Sequence, residues 1–371
     1  METARRAGPR RARRNRSSTR YPATAPTRYG HGEQMTGPPC EQPEVSPYGS
    51  FEEEGVGVGA ANGTFGELLQ GVLPENDLDF LVTFPITRSS TAEFRFASSC
   101  REVMVRPSHK TKSRLLAERI LRAHGRHGGG YLTITTDLPE GKGLASSSAD
   151  LVATARAVGE AMGVRLTERE TESFLRGIEP SDGVMYPGIV SFYHREVRLR
   201  EKLGFLPPLT IVAHDAGGRV DTVQFNQSRK PRSEAEKREY AHLLRELTVA
   251  VEAGDLRTVG DIATRSAEMS DTLSPRKHFG DLLRICRDVD GLGLVLAHSG
   301  TNLGVLLPGD EDEQTDRVEY VRKSCAAFTG SVSVYRSLGP EGQRSDAPGR
   351  FEDPETPEAP FTTSVGHNPG T

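Results

Sequence analysis

The sequence predicts an α+β fold in two modest domains, and three observations carry that expectation. A first half, beginning near Gly55, holds several β-like runs and two helical ones, a mixture that buries helices on a sheet. A second half adds further strands and longer amphipathic helices. The 371 residues suffice for two domains and a sizeable core.

Composition excludes several classes of function. A net charge of −4 gives no global basic field for nucleic acid. No apolar run approaches the ~18–20 residues of a membrane span. Cys40, Cys100, Cys286 and Cys325 are scattered, with no CxxC pair and no zinc-type cluster, which argues against a structural metal or a disulfide framework. A reduced, cytoplasmic compartment is expected.

Residues 1–54 are rich in Arg, Pro, Ser, Thr and Gly, with nine arginines before His31. Such a segment cannot bury enough apolar surface to offset its ordering entropy, so disorder is expected. Arg5-Arg6 and Arg13-Arg14 raise a twin-arginine signal or a nucleic-acid arm, but no apolar stretch comes after them. Met35 is an alternative start, with the upstream tract as an extension. Residues 338–371, dominated by Pro, Gly, Glu and Asp, are expected to form a disordered tail.

Between the tails, 55–205 and 206–337 are the two expected domains. In the first, Val56–Ala60 reads as a short strand with close backbone approach, and Asp79–Phe84, Thr91–Phe96 and Glu102–Val105 come next as strands. Ser113–His124 is helical, with Leu115, Leu116, Ile120 and Leu121 on one face. Strand Tyr131–Thr135 precedes an Ala-rich helix, Ala149–Val158, and a short helix lies near Glu168–Arg176. Ile189–Tyr193, Glu196–Leu199 and Leu209–His214 read as strands. The second half continues with helices Glu234–Glu252, Asp255–Met269 and Phe279–Val289. Strands Gly293–Ala297 and Leu303–Leu307 bracket a turn at His298–Asn302, and helix Arg317–Phe328 and strand Ser331–Tyr335 close the fold.

Five segments carry chemistry. In Pro139–Ala149 a strand, a glycine turn and a helix entered through Ser146–Ser148 make an anion cradle. Gly141 and Gly143 allow tight turns, and the first N–H groups of a helix attract negative charge. The same residues also fit an ordinary capped helix, and neither G-x-x-x-x-G-K-[ST] nor G-x-G-x-x-G is matched. Gly63–Gly71 holds three glycines in nine residues around Glu67 and Gln70, a polar-ligand loop or a plain hairpin. Glu179-Pro180-Ser181-Asp182 sets two acids three apart, either to divide labour between a metal and a hydroxyl or to face solvent. Asp215–Thr222 is a glycine-bearing turn after a strand. Ala297–Gly304 is a small-residue turn whose His298 reads as structural.

Pro139-x-x-x-Gly143-Leu144-Ala145-Ser146-Ser147-Ser148-Ala149 resembles the P-x-x-x-G-L-G-S-S-A-A motif of the GHMP small-molecule kinases, with Ala145 a mild departure. Gly63–Gly71 resembles the G-T-[CF]-G-E-[LI]-[LIV]-Q-G signature of one branch, the L-threonine kinases of cobalamin synthesis, with Asn62 where a proline is usual. Segments 179–182 and 215–222 are similar to that branch, and 297–304 to the family's third motif, so the resemblance runs in order from Gly55 to Tyr335. It implies a two-domain GHMP-kinase-like fold, with a ribosomal protein S5 domain 2-like first half and a ferredoxin-like second half. It implies ATP and Mg²⁺, with Pro139, Gly141, Lys142, Gly143, Leu144, Ala145, Ser146, Ser147 and Ser148 around the nucleotide phosphates. Ser147 and Glu179 would hold the metal, Asp182 would act on the acceptor hydroxyl, and Glu67, Gln70, Asp221 and Thr222 would contact the acceptor. The acceptor so implied is L-threonine. Another small alcohol, or a non-catalytic nucleotide-binding relative, are the alternatives. A monomer or homodimer with no nucleic-acid or membrane partner is expected.

Overall fold

The computed structural model describes residues 54–217, 232–273, 275–297 and 302–340. Both expected tails fall almost wholly outside the described residues, as do His298, Asp221 and Thr222. In chain order the elements are β1 (Gly55–Val72), β2 (Asp79–Ala97), β3 (Val103–Arg106), α1 (Thr111–Ala123), β4 (Gly129–Thr136), α2 (Ser146–Ala161), α3 (Glu168–Leu175), β5 (Ile189–Tyr193), β6 (Arg198–Gly204) and β7 (Leu209–Asp215). Next come α4 (Glu234–Ala253), α5 (Leu256–Leu273), α6 (Phe279–Asp288), β8 (Gly293–Leu296), β9 (Asn302–Pro308), a 3₁₀ turn at Glu311–Gln314, α7 (Thr315–Cys325) and β10 (Ser331–Arg336). The mixed α+β expectation holds.

All ten described strands form one sheet in the order β10-β7-β9-β8-β1-β2-β4-β3, with β5 pairing to β2 and β6. Among these described strands only the β3–β4 pair is parallel. The sheet runs through both expected domains, and β1 is the strand that joins them: it pairs with β2 along its length and meets β8 at Glu67–Leu296.

Two strand expectations were too short. Asp79–Phe84 and Thr91–Phe96 are parts of a single strand, β2, because Pro85 sits opposite Thr64, where the β1 register slips and a missing N–H is tolerated. Gly63–Gly71, expected as a polar-ligand loop or a hairpin, is the second half of β1, bent by register shifts between Asn62 and Leu69.

The close approach expected at Val56–Ala60 is real, and its cause is visible. A Cβ on Gly55, Gly57 or Gly59 would lie 2.2–2.4 Å from the carbonyl oxygen of Ala161, Ala157 or Ala153. Alternate residues on the strand thus meet every fourth residue on α2, small against small. Helix α2 is buried along most of its length as a result. The larger of two buried clusters extends from Phe65, Phe80 and Phe94 to Tyr240 and Leu247, and the smaller joins α6 and α7 to β7, β8 and β9.

Candidate active site

The N-terminus of α2 is where the segments meet. Ser146, Ser147 and Ser148 are the first three residues of the helix, not its cap. The cap position is Ala145, in the left-handed conformation (φ 56°), and no side chain caps the first turn. Gly141 (φ 69°) and Gly143 (φ 74°) are left-handed as well, so the connection from β4 turns sharply three times in five residues.

This connection is bound to its neighbours through its main chain. The N–H of Thr64 donates to the Leu144 carbonyl (3.3 Å) and that of Gly66 to the Gly143 carbonyl (3.2 Å). The buried Asn302 donates through Nδ2 to the Lys142 carbonyl at 2.8 Å. Lys142 itself pairs with Asp215 at 2.7 Å. The glycine strand, the end of β7 and the start of β9 therefore all grip one loop. Leu144 is buried, so its contribution there is packing and a carbonyl, not a side chain facing a ligand.

The acid loop folds onto the same helix end. The Ser147 hydroxyl donates to Glu179 Oε1, and Glu179 Oε2 pairs with Lys112. Ser148 donates to Asp182 Oδ2 at 3.2 Å, while its Oγ accepts the Asp182 N–H at 3.2 Å. Ser181 N–H donates to the His194 carbonyl (3.0 Å), which ties the loop to the end of β5. Gly183 (φ 69°) lies against Phe192, where a Cβ would come 2.8 Å from the ring. Burial, and then the neighbouring negative charge of Glu179, push the Asp182 carboxyl up to about 6; the Ser148 hydroxyl opposes them.

A third segment, unnoticed in the sequence, braces both loops. His109 (3.1 Å) and Lys110 (2.6 Å) bind Glu140, and Lys110 also pairs with the buried Asp150 at 2.6 Å. Burial alone would lower the Lys110 ammonium, but its hydrogen bonds to Asp150 and Glu140 outweigh that and raise it. Lys110 and His109 hold Glu140 down to about 2. No motif marked these residues, since a lysine before a helix is ordinary. The acid at Asp150 inside a helix otherwise rich in alanine was the one available signal.

Of the residues expected from sequence, the structure brings Lys142, Gly143, Ser147, Ser148, Glu179 and Asp182 into one neighbourhood. Ser146 is buried in the same first turn, while Pro139 and Gly141 line the exposed side of the connection. Glu67 and Gln70 are both buried on β1; the Gln70 N–H donates to Ser266 at 3.2 Å. Glu67 pairs in register with Thr83 and Leu296 and lies next to Gly66, which touches the connection.

The oxygen donors Ser147 and Glu179 suit a hard cation such as Mg²⁺, which takes few protein ligands when phosphates supply the others. Among the described residues no cluster of three or more His, Cys, Asp or Glu is placed to hold a metal ion. No described helix is long and apolar enough to cross a membrane.

Residues 111–186 match the GHMP kinases N terminal domain, a span that runs from the start of α1 through the acid loop. The L-threonine kinase of Salmonella typhimurium is 29% identical over 269 residues, covering 70% of this chain and 86% of that protein. The L-threonine kinase of Citrobacter freundii is 26% identical over 265 residues, covering 69% and 87%. Among solved structures, a homoserine kinase from Cytophaga hutchinsonii superposes with a TM-score of 0.62 at 16% identity, over 79% of this chain and 98% of its own, a likeness of fold. Residues 111–186 carry the GHMP kinase N-terminal domain, and the likeness to two L-threonine kinases supports a phosphotransferase with an alcohol group as acceptor.

Proposed function

We propose that the protein transfers the γ-phosphoryl group of ATP to the side-chain hydroxyl of L-threonine, giving O-phospho-L-threonine and ADP. The observation that carries this reading is the paired contact at the start of α2, Ser147 with Glu179 and Ser148 with Asp182. It puts two acids with different partners beside an uncapped helix N-terminus, and that end is suited to phosphates. The likeness to two L-threonine kinases supports the choice of acceptor.

In the reaction, the acceptor oxygen forms a bond to the γ-phosphorus as the bond to the β–γ bridging oxygen breaks, and ADP leaves. The hydroxyl proton passes to Asp182, whose raised pKa makes it a better proton acceptor than an ordinary aspartate. The N–H groups of the first turn of α2, with the backbone at Gly141–Ala145, cradle the phosphates. Lys142 stands in that connection, steered by Asp215. Ser147 and Glu179 would hold Mg²⁺, which would supply positive charge against the charge that develops on the phosphates. Glu67, Gln70, Asp221 and Thr222 are proposed to contact the acceptor.

Residues 55–205 would supply the nucleotide side and 206–337 the acceptor side. We place the reaction in the cytoplasm, where ATP is abundant and the free, buried Cys100, Cys286 and Cys325 stay reduced. The product would feed the aminopropanol linker of cobalamin's nucleotide loop.

An assay of the purified protein with ATP and Mg²⁺ against L-threonine, L-serine, L-homoserine and mevalonate tests the reading. The highest kcat/KM is expected for L-threonine. A clear preference for another alcohol would move the acceptor, and no turnover with any of the four would end the kinase reading.

A further inference from the structure

We propose that Lys112, on the first turn of α1, is a phosphate-binding residue that exchanges partners: it rests on Glu179 in the empty site and turns its charge to a terminal phosphate oxygen when the nucleotide binds, an exchange that a divalent cation on Glu179 completes. The inference rests on the nucleotide site proposed above and adds to it a residue that no motif contains.

Three described lysines surround the site, and their partners differ. Lys110 is locked: its side chain is 10% exposed and pairs with both Asp150 and Glu140. Lys142 pairs with Asp215, at the end of β7. Lys112 is bound to the very carboxylate whose other oxygen accepts the Ser147 hydroxyl. Its side chain is 51% exposed, whereas that of Glu179 is 12% exposed. A half-solvated ammonium thus sits on a largely shielded carboxylate, at the two groups best suited to a hard cation.

Electrostatics drives the exchange. A shielded carboxylate needs a positive partner, and in the empty site Lys112 provides it. An ammonium and a divalent cation on the same carboxylate repel one another. The long, flexible lysine stem lets the ammonium leave while its helix stays in place. The new partner of opposite charge would be the triphosphate proposed at the start of α2, where the Ser147 hydroxyl donates to Glu179. A charge-assisted hydrogen bond to phosphate is among the stronger polar contacts available.

The alternative role for Lys112 is a brace that only fixes the acid loop through Glu179. Titrations of the full-length protein with ATP and with AMP in EDTA separate the two, using Lys112→Gln, Lys112→Arg and Glu179→Gln. The wild-type protein is expected to bind ATP without metal. Lys112→Gln should weaken metal-free ATP binding by about tenfold and AMP binding by less than about twofold, because AMP lacks the terminal phosphates. Lys112→Arg should retain most of the affinity. Glu179→Gln should act with the opposite sign, tightening metal-free ATP binding by releasing Lys112 and removing a negative charge. A brace predicts instead that Lys112→Gln and Glu179→Gln change binding in the same direction; that result, or an equal loss for ATP and AMP, would overturn the proposal. Thermal melts of the variants control for folding, with Lys112→Arg as the variant that keeps the ion pair. Failure of the wild-type protein to bind ATP even with Mg²⁺ would instead overturn the kinase reading, and this inference with it.

Discussion

The two loops that meet at the start of α2 are held by different kinds of contact. The connection Pro139–Ala145 is gripped through its main chain: its carbonyls take N–H groups from Thr64, Gly66 and the Asn302 side chain. The acid loop Glu179–Asp182 is fastened to the helix through side chains, Ser147 to Glu179 and Ser148 to Asp182. A backbone-built cradle tolerates many side chains provided the turns survive. A side-chain-built site depends on particular atoms. Substitutions in the acid loop should therefore act on the chemical step, and those around the cradle on nucleotide affinity.

The largest effect that would sharpen this contrast is expected at Asp182. Asp182→Asn keeps the size of the side chain and removes the proton acceptor, so kcat should fall by about 10²–10⁴-fold while ATP binding by calorimetry is unchanged. The pH profile is a companion measurement. With its carboxyl at about 6, Asp182 is protonated below that value, so kcat/KM should fall as pH drops through about 6 and level off above it. Glu179's charge is the second cause of the shift, so Glu179→Gln should move this limb to lower pH. Stability runs the other way. A carboxyl raised in the folded state binds its proton more tightly there than in the unfolded chain, which favours folding at low pH and is lost as pH rises through about 6. Asp182→Asn should thus be no less stable than the wild-type protein at pH 8, by thermal melting. An inactive variant that also melted early would instead mark Asp182 as structural.

The same contrast explains what the sequence disclosed. Backbone devices leave marks, because a left-handed residue or a close approach calls for glycine: Gly141, Gly143, Gly57 and Gly59 were all readable as such. The order of the five segments then pointed to the family. Partners fixed by long-range side-chain contact left no mark. Lys110 and Lys112 reach residues 30 to 67 positions away, and nothing local distinguishes them from surface lysines. The bend at Asn62–Leu69 was also hidden, since glycines that kink a strand and glycines that form a loop look alike until the pairing with β2 is known. Ser146–Ser148 read as caps because serine so often caps, yet the cap fell to Ala145.

An intermediate effect is expected on the cradle at Asn302. Its amide is buried and donates to the Lys142 carbonyl across 160 residues of sequence, from the start of β9. Asn302→Ala leaves that carbonyl without its partner, a loss of about 1–3 kcal/mol. The expected result is a several-fold rise in KM for ATP with kcat changed by less than about threefold, the reverse of the Asp182→Asn pattern. Equal losses in kcat and KM terms from both variants would break the division between the loops.

The smallest effect tests the cradle's backbone alone. Ala145 occupies a left-handed position (φ 56°) at the point where the connection becomes α2. An L-residue with a Cβ is disfavoured there by about 1–2 kcal/mol, whereas glycine is not. Glycine gains freedom in the unfolded chain, which offsets part of that relief by roughly 0.4–1 kcal/mol. The balance favours Ala145→Gly by about 0.5 kcal/mol, readable as a small rise in the melting temperature. Because the cradle works through main-chain groups, and the substitution keeps φ in the same region, KM for ATP should change by less than about twofold. A lower melting temperature would mean that the first turn of α2 relies on the Ala145 methyl for packing, and that the cradle is less purely a backbone device than its hydrogen bonds imply.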